Sequence, residues 1–151
     1  MGLLTIDTRD FEKVTKKLSE IKIGKGKEFR NTVNESALNI QREAKKACPV
    51  DTGRLRSSIR PVFFADGMAA DVGTDVEYAA NVEFATKPHM PPSGALSGWA
   101  KRQLGNEGAA YAVALKIKES GTVAKPFLFP AFEQERPKFE RRLKSILRKA
   151  K

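Results

Sequence analysis

The sequence predicts an α+β fold, in which helices surround a small, mainly antiparallel β-sheet. Apolar residues recur at three- and four-residue steps before residue 48 and after residue 131, which is the spacing of one helix face. Between these segments, residues 59–74 hold two runs of strand-forming residues around an Asp-Gly turn signal. Separate runs of strands and helices are typical of the α+β class.

Two amphipathic helices are predicted in the first third of the chain. The first begins at Thr8 or Asp10 as its N-cap, and its apolar face consists of Phe11, Val14, Leu18 and Ile21. The glycines and lysines of residues 24–27 then break it. The apolar face of the second helix consists of Phe29, Val33, Ala37, Ile40 and Ala44. This helix should end near Cys48, because a proline follows and disfavours helical angles there.

Residues 51–74 predict a capped turn followed by a hairpin. Asp51 and Thr52 are expected to cap a short segment, residues 54–59, by accepting hydrogen bonds from its free N–H groups. Residues 59–65 form the first predicted strand and residues 68–74 the second. Asp66-Gly67 between them suits a tight primed turn.

Short helices and loops are predicted in the next part of the chain. Residues 78–85 fit a short helix, and the three prolines of residues 87–93 require a loop. Ala95, Trp99 and Leu104 indicate a helix that ends at Gly105. Residues 111–117 fit either a helix that ends at Gly121 or a strand, because their apolar residues satisfy both periods.

The last predicted helix is basic. Two prolines predict an extended segment over residues 125–130, and a helix is expected from Ala131 onward. Pro137 should kink or restart this helix, whose inward residues are expected to be Phe132, Phe139, Leu143 and Ile146. Its basic residues suit contact with phosphates, and they equally suit the solvated side of an amphipathic helix.

Length and composition indicate one folded domain. The chain has 151 residues, which is about one domain's length, and its single cysteine, Cys48, excludes an intrachain disulfide and a cysteine-based metal cage. Residues 1–10 lack a signal-peptide pattern, and no apolar stretch approaches the roughly 20 residues that span a bilayer. The net charge of +10 suggests a polyanionic partner or an acidic protein surface, and a solvated basic surface explains it equally.

Catalytic and metal-binding interpretations are weak. Asp51-Thr52-Gly53 matches the triplet of aspartic proteases, but Arg54 follows, and a guanidinium so close opposes the proton sharing that this chemistry needs. Residues 24–27 lack the spacing of a phosphate-binding loop. His89 is the sole histidine and lies in the proline-rich loop without metal-binding companions. We therefore expect no enzymatic activity, no metal and no cofactor.

Three motifs together resemble one protein family. The first is the run from Ala47 to Ile59, the second runs from Val72 to Thr86, and the third from Lys125 to Ala131. In this order and spacing they resemble the tail-completion or head–tail joining proteins of tailed phages, which include proteins like the lambda minor tail protein Z. The resemblance spans roughly residues 30–135. One departure is Ala85, where the family usually has Gly, so a left-handed turn there is expected to be altered or absent.

The resemblance implies a fold, a role and an assembly. The fold is a long helix packed on a small antiparallel sheet with flanking helices, in a single domain of residues 1–151. Within it, residues 1–27 are the N-terminal helix and linker, and residues 132–151 are the basic C-terminal helix. The implied role is to cap the tail tube and help join it to the head. The implied partners are further copies in a ring, expected to be a hexamer, and the tail tube or the head connector, with no membrane.

The resemblance and the charge pattern assign expected roles to individual residues. Asp51, Thr52 and Gly53 form the structural turn, and Tyr78 and Phe127 are core anchors. Arg54, Arg56, Glu83 and His89 are candidate polar contacts, inside the subunit or between subunits. The candidates for contact with DNA in the ring lumen are Arg141, Arg142, Lys144 and Arg148. The expected location is the virion, with the host cytoplasm before assembly; a non-sequence-specific DNA-binding module and an aspartic protease dimer are the alternatives.

Overall fold

The computed structural model describes residues 4–5, 26–92 and 94–149. The predicted helix with Phe11, Val14, Leu18 and Ile21 lies outside these residues. The two long helices are α1 (Gly26–Ala47) and α6 (Leu128–Arg148). Between them lie the short helices α2 (Arg54–Ser58), α3 (Ala79–Phe84), α4 (Ser97–Leu104) and α5 (Ala109–Ser120). No helix in the described ranges has the length and apolar character needed to cross a bilayer.

A small antiparallel sheet packs against α1. Its strands are β1 (Leu4–Thr5), β2 (Arg60–Phe63) and β3 (Ala70–Thr74), in the order β1-β3-β2. Arg60 pairs with Gly73 and Phe63 with Ala70, so β2 and β3 form the predicted hairpin. The sequence did not predict β1, which pairs with β3 at Thr74 and Gly73. The α+β class, with a long helix on a small antiparallel sheet, is confirmed.

The hairpin connection differs from the tight primed turn that Asp66-Gly67 predicted. The N–H of Phe64 still donates to the carbonyl of Ala69, one residue beyond each strand, so a loop of four residues, 65–68, lies between this bonded pair. Within this loop Gly67 donates to the carbonyl of Phe64, at a φ of +65°. Asp66 accepts a hydrogen bond from the N–H of Met68 and is not a central residue of a two-residue turn. A local Asp side-chain bond of this kind favours the longer loop.

Two clusters of buried residues lie along α1. One cluster joins Ala37 and Ala44 of α1 to Leu55, Ile59 and Phe127, and a second joins Phe29 and Val33 to Phe139 and Leu143. The early residues of α1 therefore contact the late residues of α6, so the two long helices run antiparallel. At 1.5 Å per residue, the 22 residues of α1 span about 33 Å and form the axis on which the other elements pack.

Helix α6 begins earlier than the sequence predicted. Residues 125–130 were expected to be extended, yet the helix starts at Leu128 and contains Pro130. The first turn of a helix leaves its N–H groups without intrahelical partners, so a proline at the third position removes no bond. The helix also continues through Pro137. Phe139, Leu143 and Ile146 are buried as expected, whereas Phe132 is only partly buried.

The choice left open for residues 111–117 is resolved as helix. They lie inside α5, whose C-cap is Gly121 at a φ of +73°. A Cβ at this glycine would lie 2.1 Å from the carbonyl oxygen of Thr86, and real Cβ atoms essentially never come closer than 3.0 Å to such an atom. Only glycine therefore allows the end of α5 to pack so closely on the segment after α3.

Ala85 has a positive φ but not the left-handed helical conformation, so the left-handed turn usual for the family's glycine is altered here. Its φ is 70° and its ψ is 178°, and among the described residues it is the one non-glycine with a positive φ. This conformation is favourable almost only for glycine and costs on the order of 1–3 kcal/mol for other residues. Ala85 therefore holds a backbone conformation that is typical of glycine.

We expect Ala85→Gly to stabilise the protein by about 0.5–2 kcal/mol, because relief of backbone strain exceeds the added entropy of the unfolded chain. Urea unfolding measures the change in the free energy of unfolding. Ala124→Gly is the matched control, since Ala124 is exposed, outside any helix and without a positive φ. That change should be neutral or destabilising. Equal effects of the two substitutions would contradict strain at Ala85.

Candidate interaction surfaces

The three motifs that carry the family resemblance meet in one intramolecular joint. Ser58 of the first motif shares a 2.5 Å hydrogen bond with Thr74 of the second. Glu83 of the second motif accepts hydrogen bonds from the backbone of the third. Buried Ile59, Val76 and Phe127 pack in the same cluster. The motif residues at this joint therefore stabilise the fold of the subunit through contacts inside it.

Glu83 caps the N-terminus of α6. Its side chain is 3% exposed, and its two carboxylate oxygens accept from the N–H groups of Phe127, Leu128 and Phe129 at 2.8, 3.0 and 2.8 Å. These donors have no intrahelical partner, and a negative charge at a helix N-terminus is favourable. Of the two roles that the sequence left open for Glu83, the structure shows the contact inside the subunit. Phe127, completely buried beside it, is the predicted core anchor.

The turn of the first motif is built differently from the predicted cap. The N-cap of α2 is Gly53, at a φ of 82°, and Thr52 accepts from the N–H of Arg54 at 3.4 Å. Asp51 does not cap α2. Its carboxylate instead accepts from the guanidinium of Arg102 at 2.9 and 2.5 Å and from Gln103 at 3.1 Å. Asp51 thus attaches α4 to the end of α1, a long-range partner that sequence spacing gave no signal for.

The ion pair with Arg102 lowers the pKa of Asp51 to about 2, with Gln103 contributing a second hydrogen bond. A carboxyl with this pKa is ionised at all but very acidic pH. Aspartic protease chemistry requires two carboxyls that share one proton, which such a group opposes. The cation responsible is Arg102, whereas the sequence had suggested Arg54.

The other predicted polar contacts lie on the surface. Arg54 and Arg56 are exposed, and the part of the chain that the structure describes offers them no ion pair. Tyr78, predicted to be a core anchor, is 42% exposed, so that prediction is wrong; buried Ala79 fills the adjacent core position. His89 is exposed. Its ring Nδ1 lies 2.9 Å from the carbonyl oxygen of Lys87, and its backbone N–H donates to the carbonyl of Ile117. No metal-binding group of three His, Cys, Asp or Glu occurs among the described residues.

The basic residues of α6 divide into two sets. Arg142, a predicted DNA contact, instead binds Glu35 at 2.9 Å, the hydroxyl of Ser36 at 2.8 Å, and buried Glu135. It therefore joins α6 to α1 and is not available to DNA. Arg141, Lys144 and Arg148 are exposed and recur at three- and four-residue steps, so they form one stripe on the outer side of α6. No carboxylate in the described ranges pairs with this stripe.

An apolar cleft of about 310 Å³ opens beside α1. Its walls are α1, α6, β3 and the hairpin loop, and it is lined by large side chains that include Phe29, Phe64, Met68 and Phe132. The charged residues at the cleft are Asp66, Glu135 and Arg136. Glu135 and Arg136 have ion-pair partners, whereas Asp66 has none in the described part of the chain. The sequence gave no signal for this cleft, because elements far apart in the chain form it.

Comparison with known proteins supports a phage tail family. A family model described as "Bacteriophage HK97-gp10, putative tail-component" matches residues 11–84. The match contains the first motif and almost all of the second, which confirms the resemblance to phage head–tail and tail proteins that the motifs predicted. The third motif and helices α4 to α6 lie beyond it. No curated protein and no solved structure matches the chain.

We expect Glu83→Gln to lower the free energy of unfolding by about 2–3 kcal/mol, because the amide turns N–H donors toward backbone donors that then lack an acceptor. The measurement is urea unfolding. Glu140→Gln is the matched control, since Glu140 is exposed and pairs with Arg136 on the surface of α6. Its loss should cost under about 0.5 kcal/mol. Similar losses in both variants would contradict the capping role of Glu83.

Proposed function

We propose that this protein is a structural subunit of the phage head–tail junction, where copies form a ring that caps the tail tube and helps join the tail to the head. The observation that carries the proposal is the match of residues 11–84 to a family of phage tail components. The three motifs support it, since they resemble tail-completion proteins in particular. The proposed assembly is a hexamer located in the virion neck, formed from subunits that gather in the host cytoplasm.

We also propose that the role is not enzymatic. Asp51 is held ionised by Arg102, and His89 contacts the backbone of its own loop. Both residues that sequence patterns linked to catalysis thus have structural partners. A structural subunit should remain in the particle, so that each joined particle retains one ring of copies. An enzyme should instead act on many particles per copy and need not remain in any of them.

Complementation in vitro tests the proposed role. Extracts from infections that lack this protein should hold unjoined heads and tails, and added purified protein should restore infectious particles. We expect joining to saturate at a fixed number of labelled copies retained per particle. Asp51→Asn removes the carboxylate that a protease would need but keeps an oxygen that can accept from Arg102, so this variant should still join particles. Joining by trace amounts of protein that leave no label in the particle would contradict a structural role.

A second candidate function is non-sequence-specific DNA binding, favoured by the stripe of Arg141, Lys144 and Arg148. Three cations on one helix face without carboxylate partners suit contact with successive phosphates, and each contact releases counterions. In a ring whose pore DNA crosses, the same stripe would face the lumen. The stripe therefore serves either function, and the two differ in whether the isolated protein binds DNA tightly.

We expect replacement of all three stripe residues by Gln to reduce the salt dependence of DNA binding by roughly 2–3 in the slope of log K against log salt, at about 0.9 per lost phosphate contact. Fluorescence anisotropy with duplex DNA measures the slope. The control replaces Lys101, Lys116 and Lys125, three exposed residues outside α6, which removes equal charge. Equal reductions in both triple variants would show that net charge alone drives binding and that the stripe has no special role.

A further inference from the structure

Helices α4 and α5 form an arm that is attached to the rest of the protein but barely buried in it. Each helix has a single buried residue, Ala100 in α4 and Ala114 in α5. Neither helix contributes to the two core clusters. The arm is held by the ion pair between Asp51 and Arg102 and by backbone bonds at the end of α5. Two helices with so little burial have apolar surface to spare for a partner.

The exposed surface of α5 presents an apolar stripe. Tyr111 and Leu115 lie four residues apart, so they share one face of the helix, and they are 67% and 43% exposed. Lys118 follows on the same face one turn later, is exposed, and has no ion pair among the described residues. The surface thus contains two large apolar anchors and a cation, with the exposed Glu119 beside the cation. Anchors at i and i+4 are the pattern by which helices dock into apolar grooves.

The apolar cleft complements this stripe in polarity and charge. It lies between two long helices and a hairpin loop, and its volume of about 310 Å³ is in the range of preformed sites that receive apolar groups, roughly 300–1,000 Å³. Asp66 at the cleft is the lining charge without an ion pair among the described residues. The arm offers a cation and the cleft offers a carboxylate.

The stripe and the cleft lie on different parts of one subunit. The cleft extends along Phe29 to Ile40, in the first two-thirds of α1, and no residue of the arm lines it. The arm is attached at Asp51, beyond the other end of α1. Two different surfaces that complement each other produce head-to-tail association, and such contacts generate rings when the rotation closes.

We propose that the α5 stripe of Tyr111, Leu115 and Lys118 docks into the apolar cleft of a neighbouring copy of this chain, with Lys118 facing Asp66. This inference rests on the proposed ring and adds the contact that forms it. Phe64 at the cleft and Leu115 on the arm would then be close between copies. The family match ends at residue 84, so the arm's side of this contact lies outside the matched residues.

Cysteine cross-linking of the full chain tests the contact. The Phe64→Cys/Leu115→Cys double variant should give a ladder of interchain disulfides, ending at the ring size, when mixed with tail tubes and oxidised. A mixture of the two single variants should give disulfide-linked dimers only, because each chain then carries one introduced cysteine and can form one interchain disulfide. Phe64→Cys paired with Val123→Cys is the control, since Val123 is 84% exposed and lies off the arm. Cys48 is buried and should not take part.

Charge reversal provides a second measurement. Lys118→Asp alone should weaken self-association on tubes at least tenfold, and adding Asp66→Lys should restore it. The control Lys116→Asp changes the same charge on a different face of α5 and should have little effect. Failure of the double change to restore association would overturn the pairing of Lys118 with Asp66.

The remaining outcomes separate this inference from the proposed function. If the double cysteine variant joins heads to tails but forms no interchain disulfide, the contact is wrong and the junction role stands. An intrachain disulfide between Leu18→Cys and Phe64→Cys would show that residues 8–21 of the same chain occupy the cleft, and would also overturn it. If the wild-type chain neither joins particles nor enters them, the proposed function itself fails.

Discussion

The carboxylate of Glu83 holds together parts of the chain that are distant in sequence. It accepts three backbone N–H groups where α6 begins, and it is buried, so water cannot replace these bonds without opening the core. Through them α3 fixes the start of α6, which then runs antiparallel to α1 and packs along it. The strained backbone at Ala85 immediately after Glu83 belongs to the same constraint, since it directs the chain toward the glycine that ends α5.

Local patterns predicted most of the elements but few of their partners. The apolar face from Phe29 to Ala44 depends only on helix period, so α1 could be predicted almost to its end. Contacts between distant residues could not, because nothing near Asp51 indicates Arg102 and nothing near Arg142 indicates Glu35 and Ser36. The position of Tyr78 in the second motif predicts a core anchor, yet the neighbouring Ala79 occupies that place in the core. Pro130 predicts an extended segment because proline disfavours the interior of a helix, but this restriction does not apply in the first turn, where Pro130 lies.

The residues that carry the family resemblance differ from those that form the exposed surfaces of the subunit. The residues of the three motifs are mostly engaged inside the subunit, where they fix the joint of α2, α3 and α6. The surfaces left for partners come from other residues: the basic stripe of α6, the cleft beside α1 and the exposed face of α5. A fold determined by shared motifs, with partner contacts on elements outside them, would let related subunits keep one architecture while changing their neighbours.

The proposed function places this chain at the head-proximal end of a phage tail. Cryo-electron microscopy of tail tubes incubated with the full chain shows whether it binds there. We expect a ring on one end of each tube, whose subunit density contains two long antiparallel helices beside a small sheet, with the outer face of α6 toward the pore. Tubes with bare ends, in the presence of folded protein at excess, would contradict it.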